Sequence, residues 1–304
     1  MREKMLLIGG SGFLGLNWQH YNSFYDITAT YNSYLPNLPT NWVKFTFDGS
    51  NISDLEKIIK ITNPKVIVNC AALTNIEFCD RNRSLAKLIN TDFPRELAIL
   101  ATKSCRKFVH ISTDHYQSES DSPRTENDDL VSVNVYGQTK LAAEKFIMQE
   151  CPNALVLRVN FFGYGPRRNP SLLDQILLNL SNSQKFYGFT DVHFNPVSTK
   201  VLVMSVNKLI ERESNGIFNI ASSNVISKYE FAKKVCKIFR YDSEFVVESE
   251  SDVFDSRTKR PKYLALNAAK FNCMTGIMSL SIDDMLIDLK SDTIWRQYME
   301  ATNA

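Results

Sequence analysis

The sequence predicts an α/β protein built on a doubly wound parallel sheet. Short apolar runs alternate with helical segments through the first half of the chain, and the first run, MLLI (5–8), leads straight into a glycine turn. A later run, KVIVNCAA (65–72), is apolar throughout, as a strand buried on both faces must be. Strands alternating with helices imply right-handed crossovers that cover both faces of a parallel sheet. Such sheets bind ligands outside the carboxyl ends of their strands.

The elements follow in order. After MLLI and GGSGFLG, a helix is expected through Trp18. DITATY (26–31) reads as a second strand and VKFTFD (43–48) as a third, alternating and ending in an acid. ISDLEKIIKI (52–61) has helical spacing, then comes the 65–72 strand. A helix over 85–105, kinked at Pro94, precedes strand KFVHIST (107–113). The acidic loop 121–129 leads to a helix beginning near Tyr136, and ALVLRVN (154–160) is another strand. Beyond Asn160 the pattern loosens. SLLDQILLNL (171–180), KYEFAKKVCKIF (228–239) and SIDDMLIDLK (281–290) read as helices, GIFNIAS (216–222) as one more strand, and a smaller second domain is expected.

Bulk properties narrow the function. The 304 residues are 44% hydrophobic and 22% charged, enough for a large core. A net charge of +2 without long runs of either sign points away from nucleic acid and acidic membrane surfaces. Six scattered cysteines without a C-x-x-C fit a reducing cytoplasm. The four histidines lack metal-ligand spacing, so no metal site is expected. Arg2 and Lys4 before an apolar run outline a signal peptide, but glycines interrupt the run and no cleavage-like site follows. The segment is read as the first strand.

Gly9-x-x-Gly12-x-x-Gly15 lets the backbone turn tightly and lets a pyrophosphate approach a helix N-terminus, and a ligand-free tight turn would use the same residues. The second strand runs into Tyr31-Asn32-Ser33 with no acid to repel a 2′-phosphate, which favours NADPH, with NADH as the alternative. Asp48 either faces the adenine or begins the next helix.

In VNVYGQTK (133–140), Tyr136 and Lys140 stand four apart and share a helix face. A free phenol titrates near ~10, and a nearby ammonium lowers that value. The same ammonium can hold a ribose while the phenol protonates an alkoxide as hydride reaches its carbon. Thr113, with Ser112 as the fallback, ends a strand where it could hold the carbonyl oxygen.

GGSGFLG, VNCAALT (68–74), STD (112–114) and VNVYGQTK occur in the order found in the extended short-chain dehydrogenase/reductases, which the chain resembles. Within that group it is most similar to dTDP-4-dehydrorhamnose reductases and related nucleotide-sugar 4-ketoreductases, on STD, NVYGQTKLAAEK and RVNFFG (158–163). The likeness is strong over about 4–165 and thinner beyond, through DVHFNPVST (191–199), GIFNIAS and KRPKYLALN (259–267).

The resemblance implies an NAD(P)-binding Rossmann domain, residues 1–160 plus about 196–222, with a smaller C-terminal α+β substrate domain, about 161–195 plus 223–304. It implies Thr113, Tyr136 and Lys140 as the catalytic set. Gly9, Ser11, Gly12, Phe13 and Leu14 would line the pyrophosphate, Ala71, Ala72 and Thr74 the nicotinamide end, and Asp48 the adenine. Asp114, His115, Phe161 and Arg260 are the implied substrate contacts, and Arg167, Arg168 and Lys259 are further cations for the diphosphate.

The chain departs from that group at three places. STDHYQ stands for STDYVF, Phe161 for a Trp, and Asn195-Pro196-Val197-Ser198 for G-A-P-T. Related dehydratases carry Asp then Glu at the STD loop to move protons at the sugar, whereas this chain has Asp114 then His115. The expectation is an NADPH-dependent 4-ketoreductase of a nucleotide-linked deoxysugar, cytoplasmic, compatible with a homodimer. The alternatives are a non-catalytic NADP-binding protein like the regulatory β subunit of methionine adenosyltransferase, which resembles the same branch, and a nucleotide-sugar epimerase.

Overall fold

Seven parallel strands form the central sheet of the computed structural model, which describes residues 2–105, 107–117, 122–253 and 258–301. They are β1 (Glu3–Ile8), β2 (Tyr25–Tyr31), β3 (Asn41–Lys44), β4 (Val66–Asn69), β5 (Lys107–Ile111), β6 (Leu155–Val159) and, further along, β11 (Gly216–Ile220). Their order is β11-β6-β5-β4-β1-β2-β3. The winding direction changes between β1 and β4, whose partners run from Met5 with Val66 to Ile8 with Asn69. A crevice therefore opens where the loops after β1 and β4 diverge.

Period-two alternation in β1 divides the core. Met5 and Leu7 join one apolar cluster with Trp18, and Leu6 and Ile8 join another with Leu55, Phe93 and Phe108. Helices α1 (Phe13–Tyr21), α2 (Ile52–Thr62), α3 (Ile76–Arg81), α4 (Arg83–Lys87), α5 (Phe93–Ser104) and α6 (Val135–Glu150) connect the strands. No helix among the described residues is long and apolar enough to cross a membrane.

Two expected elements differ. The third strand ends at Lys44, although alternation continues to Asp48. Phe45 and Phe47 are buried against Phe93, with ring centroids 6.1 and 4.7 Å away, so their spacing records burial under α5 rather than a ladder. The helix expected over 85–105 is broken at Leu88–Asp92 by a turn of π-helix, and Pro94 falls in the first turn of α5. Proline has no N–H for a helical bond and its ring crowds the carbonyl four residues back, and the wider turn relieves that conflict.

The remaining chain holds β7 (Phe161–Phe162), α7 (Leu172–Ser181), β8 (Phe186–Phe189), β9 (His193–Phe194), β10 (Val197–Ser198), α8 (Thr199–Glu211), β12 (Ile226–Ser227), α9 (Lys228–Phe239), β13 (Val246–Ser249), α10 (Ala269–Thr275), α11 (Ile282–Ser291) and α12 (Thr293–Ala301). Three small sheets pair β7 with β10, β9 with β12 and β8 with β13. Capping boxes start α7 (Ser171 with Asp174) and α9 (Ser227 with Glu230). The acidic loop begins at Asp121, which lies outside the described residues.

Candidate active site

Gly9 ends β1 with φ +78°, a left-handed turn that a side chain would strain. A Cβ there would stand 2.8 Å from the Ala71 amide nitrogen, so the glycine turn and the loop after β4 touch backbone to backbone. Gly12 caps α1, which has no side-chain cap and no acid in its first turn. Its N–H groups and positive end remain available to an anion, and this arrangement fits a pyrophosphate at Ser11, Gly12, Phe13 and Leu14.

Around that turn, Ala71 and Ala72 are half-buried and Thr74 is exposed. Their loop is pinned by Asn90, which accepts from the Leu73 N–H at 2.8 Å and donates to the Leu73 carbonyl at 2.9 Å. The guanidinium of Arg168 lies 3.7 Å over the Tyr34 ring and donates to the Ser11 carbonyl. A cation expected at the substrate diphosphate thus borders the glycine turn and the loop after β2. Replacing Arg168 with Ala is expected to weaken NADPH binding severalfold, with a smaller loss for NADH, as titrations of cofactor fluorescence would read. Asp48 accepts from the Ser50 N–H and hydroxyl at 2.8 and 2.9 Å, bonds that shape the start of α2 and leave its carboxylate exposed.

Asn134 sets the start of α6: its side-chain oxygen accepts from the Gly137 N–H at 3.0 Å. That cap places Tyr136 in the first turn and Lys140 one turn later, both buried. Thr113, two residues past the end of β5, stands close enough to the phenol for its side chain to favour the phenolate. The fallback, Ser112, is already engaged, donating to the Glu144 carboxylate at 2.5 Å. Glu144 also accepts from the Tyr116 hydroxyl at 2.9 Å and from Arg158 at 2.7 Å, a buried network that fixes the STD strand end to α6.

The electrostatics run against one expectation. Burial pushes the Tyr136 phenol up to about 12; the nearby Thr113 side chain opposes the rise, and Asp114 adds to it. Lys140 does not lower it, because its amine points elsewhere, to the Ile111 carbonyl at 2.7 Å and His110 Nε2 at 3.0 Å. The phenol accordingly stays protonated at neutral pH, the form a general acid needs. Burial likewise pulls Lys140 down to about 8, against the pull of Glu144 and Cys70.

On the far side of Tyr136, the His115 ring meets the phenol edge-on with centroids 5.8 Å apart. Burial, then Lys228, Arg260 and Arg124, hold His115 down at about 4, and its buried Nε2 has no partner among the described residues. Asp114 is pushed up to about 6 by burial, eased by the Asn160 amide at 2.8 Å. Arg124 keeps two buried nitrogens unpartnered among the described residues.

The structure brings Asp114, His115 and Arg260 to this end of the crevice, Arg260 in an ion pair with Glu77. Lys259 contributes its carbonyl, which accepts from Asn134 at 2.9 Å, while its side chain and that of Arg167 are exposed. Phe161 packs on Phe13 with ring centroids 5.5 Å apart, beside the glycine turn. Asn195 pairs with the backbone of Leu266, and Ser198 caps α8, so the run expected near substrate is held in structural bonds.

The profile of the RmlD substrate binding domain family matches residues 3–288. The chain belongs to this family. Among RmlD-family relatives, it is 25% identical to the dTDP-4-dehydrorhamnose reductase of Salmonella typhimurium over 279 residues, covering 88% of this chain and 90% of that one. It is also 25% identical over 261 residues to methionine adenosyltransferase 2 subunit beta of Danio rerio, covering 79% and 77%. The crystal structure of a Bacillus anthracis dTDP-4-dehydrorhamnose reductase in complex with NADP superposes with a TM-score of 0.85 at 22% identity, covering 96% and 100%. That likeness extends the RmlD-family fold over nearly the whole chain.

Sequence reasoning missed the polar pair beneath Lys140, Asn69 and His110, and Asn90, which bonds the Leu73 backbone and Thr139. A signal was present, since Asn69 closes the apolar run VIVN and His110 interrupts the apolar run of FVHI, and a buried polar group needs a partner. Arg124 and Lys228 were missed for lack of any such signal, because only the folding of distant segments brings them beside Asp114 and His115.

Proposed function

We propose that this chain is an NADPH-dependent reductase of the 4-keto group of a nucleotide-linked deoxysugar. The observation that carries the reading is the juxtaposition of Thr113 and Tyr136, with Lys140 one turn along, buried at the strand ends beside an uncapped glycine turn. When bound, the dinucleotide supplies hydride to the carbonyl carbon. Thr113 holds the carbonyl oxygen, and Tyr136, protonated at neutral pH, gives that oxygen its proton to complete the alcohol. Lys140 anchors the ribose. Gly9, Ser11, Gly12, Phe13 and Leu14 hold the pyrophosphate, Ala71, Ala72 and Thr74 flank the nicotinamide, and Asp48 lies at the adenine end.

His115, Asp114, Arg260 and Phe161 form the substrate side of the reading, and the segments 161–195 and 223–304 make up its substrate domain. The similarity to dTDP-4-dehydrorhamnose reductases supports this assignment, as does the Asp114-His115 pair, which lacks the second acid that dehydration uses. A second reading, a cofactor-binding subunit without turnover, draws on the similarity to methionine adenosyltransferase 2 subunit beta.

Nicotinamide absorbance separates the two, with purified protein, NADPH or NADH, and a panel of dTDP-, UDP-, GDP- and CDP-linked 4-ketosugars. Oxidation of NADPH by at least one ketosugar is the expected result. Tight NADPH binding with no oxidation across the panel would favour the subunit.

A further inference from the structure

Lys140 and His110 meet in a way that dictates their protons. The Asn69 side-chain oxygen accepts from the Ala71 N–H at 3.0 Å, which turns its amide nitrogen towards His110 Nδ1, 3.2 Å away. That nitrogen can only donate, so Nδ1 must accept, and the proton of a neutral imidazole then sits on Nε2. Nε2 faces Lys140 Nζ at 3.0 Å. An ammonium has three donors and no lone pair, so it would oppose N–H to N–H, whereas an amine accepts from Nε2–H and donates to the Ile111 carbonyl at 2.7 Å. Reversing the Asn69 amide would satisfy an ammonium only by turning an NH2 against the Ala71 N–H.

We propose that His110, oriented by Asn69, is a positioning residue that favours the neutral amine of Lys140 in the cofactor-free protein, so that in mildly alkaline solution Lys140 takes up a proton as the dinucleotide binds. This rests on the reductase reading for the ligand, but not for the state of the free protein. Once protonated, Nζ needs acceptors other than His110, and the ribose hydroxyls supply them. Burial acts in the same direction on both groups, lowering His110 well below the usual imidazole range and Lys140 to about 8. The other titratable groups facing Lys140 are Cys70, whose thiol burial pushes up, and Glu144, whose carboxylate is engaged by Arg158.

The sign follows from linkage. The complex holds one more proton than the free protein between the lowered free value and the higher bound one. NADPH affinity therefore stays level below about pH 8 and falls above it, by at most about tenfold per pH unit.

Two measurements test this. In the free protein, the Lys140 signal of 13Cε-lysine-labelled material, identified by its loss in Lys140→Arg, is expected to titrate well below the surface lysines. Asn69→Asp offers an oxygen to Nδ1–H and reverses the tautomer; His110→Gln offers Lys140 an acceptor. In either variant the signal should move up towards the surface range. In the complex, calorimetry of NADPH binding at pH 9 in buffers of different ionisation enthalpy should show uptake approaching one proton in the wild type and little in the variants.

A Lys140 that titrates with the surface lysines, or that is unmoved in both variants, overturns the proposal, as does NADPH binding without proton uptake. NADPH that fails to bind would sink the reductase reading instead, and the free-protein titration would then decide the role of His110 alone.

Discussion

Tyr136→Phe is expected to leave NADPH binding nearly intact while cutting turnover by a factor on the order of ~10² or more, the usual contribution of a positioned general acid. The phenyl ring keeps the contact with His115 and the packing of Val135 and Ile76 around the start of α6, so the fold has no reason to change. Only the hydroxyl leaves, and with it the proton for the developing alkoxide. Single-turnover rates and cofactor titration separate these effects. A variant with near-normal turnover would remove Tyr136 from the role of acid and hand it to another group in the crevice, with Asp114, pushed up to about 6, the first to examine.

The largest stability effect is expected at Glu144. Its side chain is 1% exposed, pairs with Arg158 at 2.7 Å, and accepts from Ser112 and Tyr116. Glu144→Ala would strand a buried guanidinium and two hydroxyls, a loss of about 3–5 kcal/mol for one broken buried pair. Urea unfolding should show the midpoint drop, with the slope unchanged if the transition stays cooperative. Replacing both partners with apolar residues, Glu144→Leu with Arg158→Met, should recover much of the loss, because desolvation of the pair is then avoided. The double variant should still lose activity, since Thr113 would no longer be held by a strand end tied to α6.

Much of this was legible in the chain. The glycine turn, the buried strands and the Tyr136–Lys140 spacing are local features, set by period and by backbone sterics, and they lie where the sequence places them. Two features depended on tertiary context. Phe45 and Phe47 alternate as a strand would, yet their rings are drawn under Phe93 and the ladder stops at Lys44. The fate of Lys140 depended on what lies beneath it. Spacing put its amine on the same face as Tyr136, but a desolvated amine takes the partners within reach, the Ile111 carbonyl and His110. The substrate side was legible only in part: Asp114, His115 and Arg260 were named, but Arg124 and Lys228 come from separate segments that only folding brings beside them.

The π turn at Leu88–Asp92 sets the rotational phase of the whole helix pair. Within it, Asn90 reaches the Leu73 backbone and Thr91 donates to the Thr139 carbonyl at 2.8 Å, the residue just before Lys140. Each residue of an α-helix advances about 100° around its axis. Trimming the one extra residue would give a regular helix and turn these two side chains away from their partners. The irregular turn therefore acts as a keyway: it lets one helix index the loop after β4 and the lysine on its neighbour to the same angle.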